Sequence, residues 1–337
     1  MDNNLYEIKD TDEFNYAIKK INQWYEGDAG SLNIVTVPYN STLIFHNIVL
    51  NLVKENKQVL YIWNGRGIKK KLIDSIQSRD KNIRYGYITS GGSEDNIVFV
   101  NYRDISNIEG KYDLVIYDDI SYYSSINNME IKVIYKKALK KANKIILYSI
   151  EEVDVEDAFY LTPLSTEKPF VEPRIINTRI NLDKDIPRIL YDYLKWFRDE
   201  KKKVLLFVPR EENAENIYEY YTNKLKMKDV KILKVFKSNC DDVKEEVLKT
   251  DNQSIFIITN DMEVILKDFT VDEAVILYSD DVYFSHKKLL YIFAYIGKVN
   301  KVMPEVLLVS RDTSLDMDTA KDISRNFNKF IWEKKSK

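Results

Sequence analysis

The stretch Tyr112-Asp113-Leu114-Val115-Ile116-Tyr117-Asp118-Asp119-Ile120-Ser121 decides the fold. Its apolar run, Leu114 to Tyr117, is short and β-branched, which predicts a buried parallel strand rather than a helix. Such a strand delivers Asp118 and Asp119 to its carboxyl edge, where ligands of open α/β sheets bind. In a nucleotide-driven motor an acidic pair at that edge holds Mg²⁺ and orients the attacking water. The same pair also suits a strand that simply ends in a turn. The choice depends on whether the rest of a nucleotide site exists.

Upstream, Asn33 to Val37 reads as a strand, Pro38-Tyr39-Asn40-Ser41-Thr42 as a loop, and Leu43 to Lys54 as an apolar helix. Strand, loop and helix in that order is the phosphate-loop context. A phosphate cradle, however, needs glycines, consecutive backbone N–H donors and a lysine aimed at the β and γ phosphates. Pro38 removes a donor, Tyr39 adds bulk, and Ser41 stands where the lysine belongs. Only Thr42, at the metal-side hydroxyl position, fits.

The alternation of strand and helix runs from residue 33 to residue 150. Its other strands are expected at Gln58–Trp63, Arg84–Ile88, Ile97–Val100 and Lys144–Ser149, with a basic helix over Met129–Lys141 as a crossover. Asn64-Gly65-Arg66-Gly67 leads into an expected helix bearing Lys69, Lys70 and Lys71. Arg66 and these lysines are candidates to hold a nucleic-acid backbone, or they form a solvated helix face. Residues 161–187, with Pro163, Pro169, Pro173 and Pro187, read as a linker between a first lobe over 1–160 and a second over 188–337. The second half repeats the design, with strands expected at Lys203–Val208, Val230–Phe236, Ser254–Thr259, Glu273–Tyr278 and Glu305–Val309. The fold class expected is α/β, two doubly wound parallel-sheet domains in tandem.

Composition sets the outer limits. A chain of 337 residues with 45 % hydrophobic and 31 % charged content suits two soluble globular domains. No run approaches the roughly 20 apolar residues of a membrane span, and the acidic opening Met1 to Asp12 is unlike a signal peptide, so a cytoplasmic setting is expected. The single cysteine, Cys240, can build neither a disulfide framework nor a cysteine-rich zinc site. A net charge of −2 gives no global pull on nucleic acid, so any such surface must be local. His46 and His286, the only two histidines, lie on separate expected helices and suggest no metal site.

Two consecutive α/β domains with an acidic pair ending a strand of the first resemble the RecA-like lobes of superfamily 2 helicases. Within that group the chain is similar to the late-competence helicase-like ATPase family ComFA, from about residue 12 to residue 330. Tyr112 to Tyr122 looks like the DEAD-box-type motif, with Asp118 at its first acid and Asp119 in place of its glutamate. Tyr87 to Glu94 looks like the segment before motif Ib, and Leu147-Tyr148-Ser149-Ile150 stands at motif III. Lys203 to Asn216, with Pro209 and Arg210, is similar to the first strand and helix of the second lobe. Thr259 to Asp272 occupies motif V, where Met262-Glu263 fits and Val264-Ile265 replaces arginine and glycine. Leu290 to Lys298 runs parallel to motif VI, with Tyr291 for its glutamine, Tyr295 for its first arginine and Lys298 for its second.

The departures fall on the atoms that do the chemistry. An arginine finger is worth about 10³ to 10⁵ in rate, and Lys298 lacks its planar fork. The family's cysteine zinc module is also missing. The expectation is therefore a motor fold without its motor, with no cofactor, gripping single-stranded DNA or docking a competence-type protein partner. Arg66, Lys69, Lys70, Lys71 and Arg210 are its contact candidates, with Tyr283 and Tyr295 for base stacking. Two alternatives stay open. One is an active ATP-dependent DNA translocase using ATP and Mg²⁺ on Asp118, Asp119, Thr42 and Lys298; the other is a protein-interaction scaffold without nucleic acid.

Overall fold

The computed structural model describes residues 12–124, 126–153, 155–164, 168–250, 252–299 and 303–335. The chain divides into two compact units, the first holding the described residues up to 164 and the second those from 168. Each is built on its own parallel sheet.

In the first unit the elements run α1 (Asp12–Glu26), β1 (Ser31–Thr36), α2 (His46–Lys54), β2 (Val59–Trp63), α3 (Lys70–Gln77), β3 (Tyr85–Tyr87) and β4 (Ile97–Asn101). They continue with β5 (Tyr112–Asp118), α4 (Asn128–Leu139), β6 (Ala142–Ser149) and β7 (Asp157–Leu161). The seven strands pair in the order β3-β4-β2-β5-β6-β1-β7, every pairing parallel. β4 and β5 are largely apolar and β1 is buried at every position although Ser31, Asn33 and Thr36 are polar, so all three are covered on both faces, as helix-covered parallel strands require. β6 separates β1 from β5, so the loops leaving those two strands emerge at one edge with a single strand between them. The connection leaving β2 runs to β3 on one side and that leaving β5 to β6 on the other, so the adjacent carboxyl ends of β2 and β5 mark the switch point where a site belongs.

The second unit contains β8 (Arg174–Asn177), α5 (Arg188–Asp199), β9 (Lys203–Phe207), α6 (Glu211–Tyr220), β10 (Val230–Lys234) and α7 (Cys240–Leu248). There follow β11 (Ser254–Thr259), α8 (Met262–Asp268), β12 (Glu273–Leu277), α9 (His286–Val299), β13 (Val306–Ser310) and α10 (Leu315–Lys335). Six parallel strands pair as β10-β11-β9-β12-β13-β8. The expected α/β class and tandem organisation are what the chain adopts. No described helix is long and apolar enough to cross a membrane.

Two local expectations change, and one segment for which no element is expected proves structured. The span 161–187 carries β8, which joins the second sheet, and β7 extends the first sheet to Leu161. Both are edge strands with mixed exposure, so neither has the continuous apolar run that betrays a central strand. The helix expected to begin at Leu43 starts with a 3₁₀ turn, Thr42–Phe45. The motif V segment contains α8, a helix of seven residues capped by the Asp261 carboxylate.

Candidate functional site

The carboxyl edge of the first sheet gathers Trp63, Asp118 and Tyr148 side by side, because β2, β5 and β6 bring them into register. Strand alternation places Tyr61 on the same face as Trp63. Asp118 is 2 % exposed and has a complete set of donors. Tyr61 donates its hydroxyl to Oδ2 at 2.7 Å, and the Lys69 ammonium stands 3.3 Å from the same oxygen. The N–H groups of Ile120 and Ser121 reach Oδ1 at 3.2 and 3.0 Å, the pattern of a carboxylate that closes its own turn. An ionised carboxylate offers about four acceptor positions, and four donors take them. Asp119 is buried too, its N–H bonded to the Tyr148 carbonyl at 2.9 Å.

Around Asp118 the wall is aromatic. Phe45, Tyr61, Phe99 and Tyr148 form edge-to-face and tilted pairs with centroids 5.2 to 6.4 Å apart. Burial, and after it the Asp118 charge, hold the Tyr61 and Tyr148 hydroxyls well above the usual phenol range. Both remain protonated donors at neutral pH. Thr42, expected at a metal-side position, has its hydroxyl on the Tyr61 hydroxyl.

Lys69 precedes α3 as its N-cap residue. Its side chain therefore leaves the helix face and turns back to Asp118, with the ammonium 4.0 Å from the centroid of the Trp63 ring. That ring is held by a bond from its Nε1 to the Gly67 carbonyl at 3.2 Å. Gly65 lies so close beneath it that a Cβ there would fall 2.2 Å from the ring. The reading of Lys69 as a backbone-phosphate contact is accordingly corrected: with a side chain 13 % exposed, it belongs to the acidic site. Arg66, Lys70 and Lys71 are exposed beside it, on the loop after β2 and the start of α3.

The loop from Val37 to Leu43 turns most of its backbone donors inward. Pro38 has no N–H. Tyr39, in the left-handed region at φ +60°, donates its N–H to the Ile120 carbonyl at 2.8 Å. The N–H of Asn40 turns to Val37, that of Ser41 to the Asn40 side chain, and that of Leu43 to the Ser41 hydroxyl. Asn40, buried, also donates its amide to Thr36 Oγ1 at 2.8 Å and to the Thr162 carbonyl at 2.9 Å, while the Leu164 N–H bonds its oxygen at 3.0 Å. Tyr148 completes the closure by donating its hydroxyl to the Ser41 carbonyl at 3.1 Å. Four N–H groups that a cradle would aim at a phosphate are thus directed into the protein.

The resemblance to superfamily 2 helicases would imply Mg²⁺ at the acidic pair, and the residues present do not fit it. Asp118 has its acceptor positions filled, one of them by a cation, and Thr42 is turned to Tyr61. Among the described residues no group of three or more His, Cys, Asp and Glu is arranged to hold a metal ion.

In the second unit Arg210 pairs with Asp281 at 2.7 Å and keeps more than half of its side chain in solvent. One face of Tyr283 is covered by the Lys288 ammonium, 3.7 Å from the ring centroid. Tyr295 is 6 % exposed and Tyr291 fully buried. The Tyr295 hydroxyl donates to the carbonyls of Ile265 and Phe269 at the end of α8, and burial pushes it up to about 12. Its proposed role as a stacking platform is corrected for that reason: the ring is core. The Lys298 side chain lies outside the described residues. His46 bonds Ser75 at 2.5 Å and His286 bonds Asp316 at 3.0 Å, in separate units.

Tyr61, Trp63 and Tyr148 were not singled out as site residues from the sequence. The available signal was weak: aromatics at alternate positions of strands that end beside an acidic pair.

No family model matches this chain, and no curated protein matches it. Solved structures do. RecG bound to a three-way DNA junction is 13 % identical over 97 % of this chain and 47 % of its own length, with a TM-score of 0.52. The Escherichia coli DEAH/RHA helicase HrpB is 11 % identical over 91 % of this chain and 43 % of its own, TM-score 0.48. The DUF1998 helicase MrfA, solved with DNA and AMPPNP, is 12 % identical over 94 % and 50 %, TM-score 0.48. This chain spans about half the length of those proteins. What the RecG likeness shows is the fold, two α/β parallel-sheet units in tandem.

Proposed function

We propose that this chain is a helicase-fold protein that binds single-stranded nucleic acid without hydrolysing ATP. The observation that carries the proposal is the loop from Val37 to Leu43, whose Tyr39, Asn40, Ser41 and Leu43 N–H groups are bonded within the protein. Triphosphate binding there would have to break the Tyr39–Ile120 and Tyr148–Ser41 bonds and displace Asn40 from its four partners, without a lysine to compensate. Nucleic-acid binding rests on Arg66, Lys70 and Lys71, exposed together beside the carboxyl edge of the first sheet, and on the helicase fold itself. Phosphate contacts need only such local charge, so a net charge of −2 does not oppose them. A ComFA-like setting in DNA uptake, with a competence-type protein partner, is the finer part of the proposal and is supported by the motif resemblance.

Fluorescence anisotropy of labelled single-stranded DNA tests this. Binding should weaken steeply with added salt and be unchanged by Mg-ATP. No binding at low salt, or an affinity that shifts with Mg-ATP, would contradict it.

A further inference from the structure

The geometry points to Lys69 as the resident cation of the acidic site: its ammonium holds the place beside Asp118 that a divalent ion takes in a nucleotide motor, and Mg²⁺ is excluded because that place is filled. The inference deepens the non-hydrolysing reading and rests on it.

Two buried carboxylates, Asp118 at the end of β5 and Asp119 just after it, are 2 % and 3 % exposed, and charge so buried needs a counter-charge. Lys69 supplies it at 3.3 Å, and the surroundings are shaped to keep it there. Lys69 stands one residue ahead of α3, free of the helix face, so its stem can run back toward the strand end. The Trp63 ring offers its face to the ammonium at 4.0 Å. Gly65 makes room for that ring, and the Gly67 carbonyl fixes its edge. On the other side Tyr61 takes the remaining position on Oδ2 and engages the Thr42 hydroxyl, which is thereby directed to a phenol. The arrangement links Gly65, Trp63, Lys69, Asp118, Tyr61 and Thr42, and each contact serves an ammonium rather than a hydrated dication. A divalent ion seeks several oxygens at 2.0–2.6 Å in an open sphere, which a carboxylate with four donors no longer offers.

Mn²⁺, followed by loss of its free electron-paramagnetic-resonance signal, is the probe, with the 337-residue chain and no nucleotide. Wild type should leave the signal of free Mn²⁺ intact. Lys69→Met should take up Mn²⁺ with an affinity about tenfold or more above wild type, since one repelling charge at close range has gone. Lys69→Met combined with Asp118→Asn should lose that uptake. Lys69→Gln, which retains a donor toward Asp118, guards against a Met variant that fails to fold and should gain Mn²⁺ as well. Uptake by wild type that Asp118→Asn abolishes would overturn the inference, as would folded Lys69 variants that take up none. ATP turnover by wild type would strike the functional proposal instead, so the two failures are separable.

Discussion

The two sheets deliver loops to equivalent edges, yet their chemistry is disposed of differently. At the edge of the first, polar groups persist and satisfy one another: Asp118 with Tyr61 and Lys69, Tyr39 with Ile120, Asn40 with Thr36 and Thr162. In the second, the helix aligned with motif VI is buried from Leu289 to Ile296, and the aromatic that stands for an arginine caps α8 from inside the core. One edge is closed by a hydrogen-bonded network and the other by hydrophobic packing. A network depends on each member, whereas a packed aromatic loses a bond and keeps its burial. Variants in the two units should therefore behave unlike one another.

The largest effect is expected at Lys69. Lys69→Met leaves Asp118 buried and unpaired, which should lower the unfolding free energy by about 3–5 kcal/mol in urea denaturation. Adding Asp118→Asn should return much of it, because a neutral amide no longer needs a cation. Equal losses in the single and double variants would dissolve the contrast between the units. Tyr295→Phe removes only a hydroxyl from two carbonyls, one of which already accepts the Phe269 N–H, and should cost about 1–2 kcal/mol in the same assay.

Nucleic-acid binding sharpens the comparison next. Changing Arg66, Lys70 and Lys71 together to Gln should leave stability unaltered and reduce the slope of log affinity against log salt by about 2, at roughly 0.7 per single-strand contact. An unchanged slope would remove these residues from the interface.

The smallest effect concerns pH. Burial, and after it the Arg79 charge, lower the His46 pKa below its ordinary 6.5. The unfolded chain then binds the proton more readily than the folded one between those two values. The contribution of neutral His46 is full above about pH 6.5 and declines as pH falls toward the folded pKa. His46→Gln should flatten that part of the stability profile, measured by thermal denaturation from pH 7.5 to 5.5.

Much of the architecture is legible in the sequence, because several interior parallel strands are unbroken apolar runs. β5 announces itself as Leu-Val-Ile-Tyr and β13 as Val-Leu-Leu-Val. β7 and β8 are hidden because edge strands mix exposed and buried residues, and β8 sits among prolines. The site is legible in part. The unsuitable composition of residues 38–42 shows directly, since proline and the lack of glycine act locally. The tie between Lys69 and Asp118 does not, for it joins residues 49 positions apart through the β2–β5 register and a helix start displaced by one residue. Tyr295 is likewise ambiguous in sequence, where an aromatic on an apolar helix suits a stacking surface and a core equally. Only burial separates them.

The central claim, that the phosphate loop is closed and the acidic site already holds a cation, is tested most directly by phosphate release from Mg-ATP. Purified wild-type chain, with and without single-stranded DNA, is the sample. The expected result is release no faster than from an Asp118→Ala control. DNA-stimulated release that vanishes in that control would contradict the account.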